Sequence, residues 1–156
     1  MTRKGLRCGI YFHPGVSDGG TTLALRPLAR AESDALDCLR EAIEAGMELL
    51  VPGTRASVVH NAMRLVTERY PSARPQGHGI GMEIREDPII GGSLGGRLRD
   101  ECIDEPADLE LEAGMLINLE ASLFAIRHSS VHTEETFALG KHGSRRISTL
   151  TEVGAA

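Results

Sequence analysis

Residues 114–120 form an apolar run, Gly-Met-Leu-Ile-Asn-Leu-Glu, that ends on a carboxylate. A short run of this composition is typical of a buried β-strand. Burying the carboxylate of Glu120 costs free energy unless the charge is paired or bound to a cation. The chain must therefore fold so that a compensating group reaches Glu120.

Three other stretches carry side chains that can bind a metal ion. Asp18 follows Gly-Val-Ser, His78 lies within Gly-His-Gly-Ile-Gly, and Glu134 lies within Val-His-Thr-Glu-Glu-Thr. With Glu120 they offer three carboxylates and one imidazole, a mostly oxygen set that suits Mn²⁺, Fe²⁺, Co²⁺ or Zn²⁺. The sequence thus contains candidate ligands for a divalent metal ion.

Each candidate ligand also has an ordinary structural explanation. A histidine between glycines, such as His78, is typical of a polar turn, and Ser-Asp-Gly-Gly around Asp18 is common turn composition. Glu120 and Glu134 lie in β-like sequence, where an exposed strand position would also explain a glutamate. The residues alone leave both explanations open.

Composition argues against several classes of function. The chain of 156 residues has a net charge of −5 and 3% aromatic residues, which disfavours nucleic acid as a partner. Its three cysteines include no Cys-x-x-Cys pair, so we expect no disulfide framework and a reducing cytoplasmic location. No apolar run reaches the length of a membrane span, so we expect no membrane partner.

Periodicity predicts an α+β domain. Apolar residues recur at helical spacing over residues 31–50 and 56–70, which predicts two amphipathic helices. Residues 91–109 mix Gly, Asp, Glu and Pro without clear periodicity, so we interpret them as a long inserted loop between His78 and Glu120. Strands are predicted over residues 8–12, 21–25, 77–84, 115–122, 131–139 and 146–150.

The order of these motifs resembles that of the pita-bread metallopeptidases, a family of methionine and Xaa-Pro aminopeptidases, prolidases and metal-free creatinases. The shared features are Asp18, the Gly-His-Gly-Ile-Gly of residues 77–81, the Gly-Met-apolar segment ending at Glu120, and Glu134 in Glu-Glu-Thr. The resemblance covers residues 5–148. It implies a pita-bread α+β fold, a metal ion held by the four candidate ligands, and Glu120 as the general base of a metal-assisted hydrolysis.

Residue 7 departs from the family pattern. Two-metal members carry an earlier aspartate eleven positions before the one that Asp18 resembles, and this chain has Arg7 there. Because a guanidinium cannot ligate a cation, the resemblance implies at most one divalent metal ion per chain. The alternative is a shifted alignment, in which Arg7 is an ordinary exposed residue.

Three further positions change the expected substrate pocket. The family usually has histidines where this chain has Arg74 and Arg85, and prolidase-like members often have arginine where it has His132. Arginine can hold a carboxylate or oxyanion but cannot exchange protons near neutral pH. We therefore interpret Arg74, Arg85 and His132 as candidate substrate contacts. The alternatives are a surface ion pair of Arg85 with Glu83 or Glu86, a solvated Arg74, and an ordinary strand position for His132.

Length is the last departure from the family. Pita-bread domains begin with a block of helices and strands before the motif that starts near Arg7, so the resemblance implies one partial domain over residues 1–156, truncated on its N-terminal side. Uncovered apolar faces and unpaired strand edges would then need a cover. We expect a homo-oligomer or a separate N-terminal portion to supply it.

Together with the resemblance, these residues predict a metal-dependent hydrolase of a small peptide or an amino-acid-derived amide, similar to prolidases and Xaa-Pro peptidases. Two alternatives stay open. A creatinase-like or lyase-like enzyme acting on a small non-peptide metabolite would explain the lost histidines. A degenerate, non-catalytic fragment would explain both Arg7 and the missing N-terminal block.

Overall fold

The computed structural model describes residues 10–12, 15–22, 24, 26–91, 97–100, 103–106, 108–126 and 129–147. Arg7 lies outside these ranges, so the structure does not test the prediction of at most one metal ion per chain, which rests on Arg7. Within them, two α-helices pack on one face of an antiparallel β-sheet. The predicted α+β class is confirmed.

The strands and helices follow one another in a simple order. The helices are α1 (Arg30–Met47) and α2 (Ala56–Val66), and α2 continues into a 3-10 turn at Thr67–Arg69. The strands are β1 (Ile10–Phe12), β2 (Gly15–Ser17), β3 (Gly20–Thr21), β4 (Ala73–Ile80), β5 (Glu86–Ile90), β6 (Arg97–Asp100), β7 (Ile103–Pro106), β8 (Leu116–Ile126), β9 (Ser129–Gly140) and β10 (Gly143–Arg146).

The main sheet has the strand order β10-β9-β8-β4-β5, and the short β3 pairs with β9 beside it. All of these pairings are antiparallel. Two small hairpins, β1 with β2 and β6 with β7, are separate two-stranded sheets. The long strands β4, β8 and β9 therefore form the centre of the domain.

Helix α1 is amphipathic and covers β8 and β9. Its start is fixed by Glu32, whose Oε2 accepts a hydrogen bond of 2.9 Å from the backbone N–H of Ala29. This bond satisfies one of the donors that a helix N-terminus leaves without a partner in the helix. The predicted helix over residues 31–50 is confirmed, although it ends at Met47.

Helix α2 receives its N-terminal cap from a distant segment. The carboxylate of Asp108 accepts 2.9 Å and 2.7 Å hydrogen bonds from the backbone N–H and the hydroxyl of Ser57. An acidic side chain at this end also interacts favourably with the helix dipole. The predicted helix over residues 56–70 is confirmed to Val66, after which the chain tightens into the 3-10 turn.

The hydrophobic core lies between the two helices and the sheet. Leu39 and Ile43 from α1, Val59 from α2, and Leu119 and Phe137 from the sheet have at most 1% of their surface exposed. The other buried members of this core are Ala35, Leu36, Ala42, Leu50, Ala56, Met63, Ala73, Ile90, Leu111, Ile117, Ala121, Leu123, Val131 and Leu139.

Three central strand predictions are confirmed with longer or shifted ends, as β4, β8 and β9. Of the predicted strand over residues 8–12, the described part is β1. Of the predicted strand over residues 21–25, Thr21 belongs to β3 and the described residues 22 and 24 lie outside any strand, while residues 23 and 25 are outside the described ranges. Of the predicted strand over residues 146–150, Arg146 is the last residue of β10, and residues 148–150 lie outside the described ranges.

The interpretation of residues 91–109 as a loop is wrong. They contain the hairpin of β6 and β7, whose four pairs run from Arg97 opposite Pro106 to Asp100 opposite Ile103. These strands are short and rich in charged residues, so they lack the alternation of apolar and polar residues that marks a half-buried strand. In the part of the chain that the structure describes, no helix is long and apolar enough to cross a bilayer.

Candidate metal centre

The long strands of the sheet have one apolar and one polar face. In β8, Ile117, Leu119 and Ala121 point into the core, while the alternate residues Asn118 and Glu120 belong to the opposite face. This division follows from strand geometry, which sends successive side chains to opposite sides. Glu120 is nevertheless only 1% exposed, so the polar face is itself largely closed to solvent.

Pairing across the strands gathers the candidate residues into neighbouring rows. Glu120 of β8 lies opposite Glu134 of β9 on one side and Gln76 of β4 on the other. Glu134 in turn lies opposite Gly20 of β3. The row toward the start of β8 contains His78, Asn118 and Thr136, and the row toward its end contains Arg74, Ser122 and His132.

Asp18 reaches this face from the segment between β2 and β3. The hydroxyl of Thr136 donates a 2.8 Å hydrogen bond to the backbone carbonyl of Asp18, which ties the segment to β9. The Asp18 Oδ2 atom then lies 3.7 Å from Nε2 of His78. Asp18, His78 and Glu134 form a group whose ligand atoms all lie within 4.8 Å of one another.

The ring of His78 is oriented for metal binding. Its Nδ1 lies 2.9 Å from the backbone carbonyl oxygen of Gly79. Because a carbonyl can only accept, Nδ1 carries a proton, and in the neutral ring the lone pair is then on Nε2, the atom facing Asp18. Metal-binding histidines commonly donate their second ring N–H to such an acceptor.

Glu120 belongs to a second group, with His132 and Glu134, whose ligand atoms also lie within 4.8 Å of one another. The four ligands predicted from the sequence are therefore neighbours on one face. Together with His132 they form two groups of three. The first contains Asp18 and His78, the second contains Glu120 and His132, and Glu134 belongs to both. From the sequence, His132 is predicted to contact the substrate.

Arg85 enters this face and pairs with Glu120. Its Nη2 lies 2.5 Å from Glu120 Oε1, and the amide of Gln76 donates a 2.8 Å hydrogen bond to the same oxygen. The ion pair links a side chain that is 42% exposed to one that is 2% exposed. Glu83 and Glu86, the surface partners considered for Arg85, instead interact through the Glu83 backbone N–H and Glu86 Oε1.

Arg74 is not brought to the carboxylates. Its guanidinium donates to the backbone carbonyls of Pro71 and Ala73, at 3.3 Å and 3.0 Å, and the residue is exposed. Two residues that sequence reasoning missed, Gln76 and Asn118, do belong to the polar face. Their signal was available, since each lies two positions before a predicted ligand on the same strand.

The electrostatics of this face favour a cation. Burial raises the pKa of the Asp18 carboxyl above its ordinary value, the negative charge of Glu134 raises it further, and His78 opposes the shift. The Oδ1 atom of Asn118, which is fully buried, has no hydrogen-bond partner within the described part of the chain. An oxygen-rich, negatively charged and partly unsatisfied face fits a hard or borderline divalent metal ion.

Comparison with known proteins decides the family. The model of metallopeptidase family M24 matches residues 6–141. This chain belongs to metallopeptidase family M24. The family uses divalent metal ions, and the donor set of the M24 chain is consistent with such an ion. The comparison with curated proteins gave no significant match.

Solved structures of similar fold include a prolidase, an X-Pro aminopeptidase and a methionine aminopeptidase. Prolidase from Pyrococcus furiosus has a TM-score of 0.79 and 21% identity, covering 94% of this chain and 41% of that chain. X-Pro aminopeptidase from Thermotoga maritima has a TM-score of 0.78 and 17% identity, covering 93% and 39%. Methionine aminopeptidase from Rickettsia prowazekii has a TM-score of 0.66 and 17% identity, covering 90% and 61%.

These structures confirm the pita-bread fold that the resemblance implied. At such identities the likeness concerns the fold alone. The M24 chain spans about two fifths of the length of the prolidase and the X-Pro aminopeptidase.

Proposed function

We propose that this M24 chain binds a divalent metal ion, Mn²⁺, Fe²⁺, Co²⁺ or Zn²⁺, through Asp18, His78 and Glu134. With that ion it hydrolyses a small peptide or an amino-acid-derived amide. The observation that carries the proposal is the convergence of these three side chains, from β4, β9 and the segment before β3, to within 4.8 Å. Burial of His78 and Glu134 protects the group from bulk water.

The reaction needs an activated water and a base. A divalent ion at this position would lower the pKa of a bound water and polarise the scissile carbonyl. Glu120, next to Glu134 across β8 and β9, is the candidate base that takes the proton of that water. Arg85 and Gln76 both bind its Oε1, and these contacts hold the carboxylate in one orientation.

The substrate class is proposed from the neighbours. The names of the prolidase and X-Pro aminopeptidase structures favour a short peptide with an Xaa-Pro bond. We further propose that the chain acts in the cytoplasm, as its cysteine pattern suggested. Its partner is proposed to be a second copy of the chain.

A panel assay on the full chain tests this function. The protein, loaded with each of the four metals in turn, is incubated with Xaa-Pro dipeptides, matched Xaa-Ala dipeptides and simple amides, and released amino acids are quantified. We expect Xaa-Pro cleavage that falls by about 10²–10⁴-fold in Glu120→Gln. The matched control is His142→Gln, at an exposed histidine after β9. Equal rates in wild type and Glu120→Gln would contradict the proposed role.

The ion pair of Arg85 with Glu120 favours a second candidate function. A guanidinium beside the base already supplies positive charge to the pocket, as an enzyme working without a metal would require. In this case the chain is a creatinase-like or lyase-like enzyme acting on a small non-peptide metabolite. Turnover of such compounds in the presence of a chelator, with no turnover of dipeptides, would identify it.

A further inference from the structure

We propose that a cavity between helix α2 and the edge of strand β4 binds a free amino acid. Arg64 binds the carboxylate of this ligand, and His60 accepts a hydrogen bond from its ammonium group. No residue of the two groups of candidate metal ligands lines the cavity, so the inference does not rest on the proposed function. The cavity volume of about 440 Å³ lies within the range of about 300–1,000 Å³ that is typical of small-molecule pockets.

The cavity lies where β4 has a paired strand on one side only. Residues 73–76 pair with β8, whereas the pairing of β4 with β5 begins at Gly77. An open strand edge can pair with an extended peptide, but Pro75 has no backbone N–H to offer. The N–H of Ala73 is also engaged, since it donates a 2.8 Å hydrogen bond to the carbonyl of Tyr70. This edge therefore suits a small molecule better than an added strand.

His60 lines the cavity from α2 and is only 8% exposed. Its ring donates to the backbone carbonyl of Pro75, and Nδ1 has no hydrogen-bond partner in the part of the chain that the structure describes. The donor is therefore Nε2, and in the neutral ring Nδ1 has the lone pair. Burial lowers the pKa of His60, which keeps the ring neutral near pH 7. Because buried polar atoms normally have a partner, Nδ1 favours a ligand that carries a donor.

The charged groups of the cavity suit a zwitterion. The guanidinium groups of Arg64 and Arg74 both line it, and neither forms an ion pair with a carboxylate among the described residues. Arg74 is held by the carbonyls of Pro71 and Ala73, which leaves Arg64 as the freer group. An arginine can bind a carboxylate through two parallel hydrogen bonds. Glu68 lines the same cavity and supplies a negative charge for the ammonium group.

The rest of the wall is mostly apolar. Tyr70, Pro71, Ala73 and Pro75 line this part of the cavity. An aliphatic amino acid such as leucine or proline combines a carboxylate, an ammonium group and an apolar side chain in one small molecule. A simple anion would use the arginines but would leave both Nδ1 of His60 and the apolar wall without a contact.

NMR titration of the metal-free full chain with L-leucine, and separately with L-proline, tests the inference. We expect saturable shifts of backbone amide signals within residues 60–76. Acetate and methylamine each carry only one of the two charged groups, so both should bind at least about 10-fold more weakly than the amino acids. Acetate binding as strong as leucine binding would show a simple anion site and would overturn the inference.

Two substitutions test the named contacts. Arg64→Ala should weaken leucine binding by at least about 10-fold, because charge-assisted hydrogen bonds to the carboxylate are lost. His60→Leu removes the acceptor Nδ1 and should weaken binding by about 5-fold. Arg30→Ala is the matched control, at a side chain that is 95% exposed at the start of α1, and should bind leucine as the wild type does. Circular dichroism melting checks each fold, and the exposed Arg64 keeps the test valid if His60→Leu does not fold.

His78→Gln separates this cavity from the proposed metal centre, and it should bind leucine with wild-type affinity. Leucine binding that needs a metal ion and is lost in His78→Gln would place the ligand at the metal centre. That result would overturn this inference and leave the proposed function standing. No saturable shift with either amino acid, or unchanged binding in both Arg64→Ala and His60→Leu, would also overturn it. Leucine binding without any hydrolysis of peptides would contradict the proposed function alone.

Discussion

The same strands form both faces of the central sheet, but one face buries apolar side chains and the other buries charged ones. On the helix-covered face, β8 places Ile117 and Leu119 in a continuous apolar core. On the other face the same strand carries Glu120, which is equally buried and is paired with Arg85 and Gln76. The first face stabilises the fold by excluding water from apolar side chains. The second face lowers the stability, because holding buried charges close together costs free energy.

The apolar face should give the largest effect on stability. Phe137 of β9 is fully buried among the core residues, so Phe137→Ala should lower the free energy of unfolding by about 3–5 kcal/mol. Chemical denaturation measures the change. If the two faces are independent, the metal bound per folded chain should stay at the wild-type level. A loss of metal in the folded fraction would show that the faces are coupled.

The polar face should respond most strongly at Arg85. Arg85→Ala leaves the buried Glu120 without its cationic partner and should cost about 1–2 kcal/mol in metal-free protein, since solvent partly replaces a guanidinium that is 42% exposed. It should also raise the affinity for a divalent cation, because a competing positive charge is removed.

Arg74→Ala is the matched control for this experiment. Arg74 is exposed and donates only to backbone carbonyls, so its loss should change stability by less than about 0.5 kcal/mol. Equal effects of the two substitutions, by thermal melting and metal titration, would contradict the pairing of Arg85 with Glu120.

The cap of α2 tests how the helix layer is held to the sheet. Asp108→Ala removes both hydrogen bonds to Ser57 and should cost about 1 kcal/mol. Metal affinity should be unchanged, because Asp108 caps the helix layer and takes no part in either metal-competent group. The comparison with Asp108→Asn separates the charge from the hydrogen bonds.

The smallest expected effect is a pH dependence at His60, in the helix layer. Burial lowers the pKa of His60 below its ordinary value, and Arg64 lowers it further. The unfolded chain therefore takes up a proton near pH 6.5 that the folded chain resists, and stability falls as pH falls below that value. His60→Gln should lose less stability than wild type between pH 7 and pH 5. An identical pH profile would show that His60 is protonated equally in both states.

Sequence reasoning succeeded where periodicity and burial act locally. The apolar spacing in α1 and the run ending at Glu120 are signals of this kind, and both elements formed as predicted. The four candidate ligands were placed near one another by the resemblance, through the order of their motifs. Their division into two groups depends on the register of β3, β8 and β9, which places Glu134 opposite Glu120 and opposite the distant Gly20.

The wrong or missed predictions also concern features that depend on pairing between segments of the chain. The hairpin of β6 and β7 has no apolar alternation, and the length of β3 is set by its pairing with β9 alone. The spacing of Gln76 from His78 places it on the polar face, but its contact with Glu120 depends on the pairing of β4 with β8. The resemblance to the family singled out Arg85 as a candidate substrate contact. Its pairing with Glu120 was not predicted, because that contact depends on the path of the chain after β4.

The central claim is that the polar face holds a divalent metal ion through Asp18, His78 and Glu134. Elemental analysis of freshly purified protein, dialysed against metal-free buffer, tests it directly when wild type and His78→Gln are measured together. The account predicts at least one divalent ion per wild-type chain and a loss of one ion per chain in His78→Gln. Wild-type protein without a divalent metal, or a His78→Gln variant with the wild-type content, would contradict it.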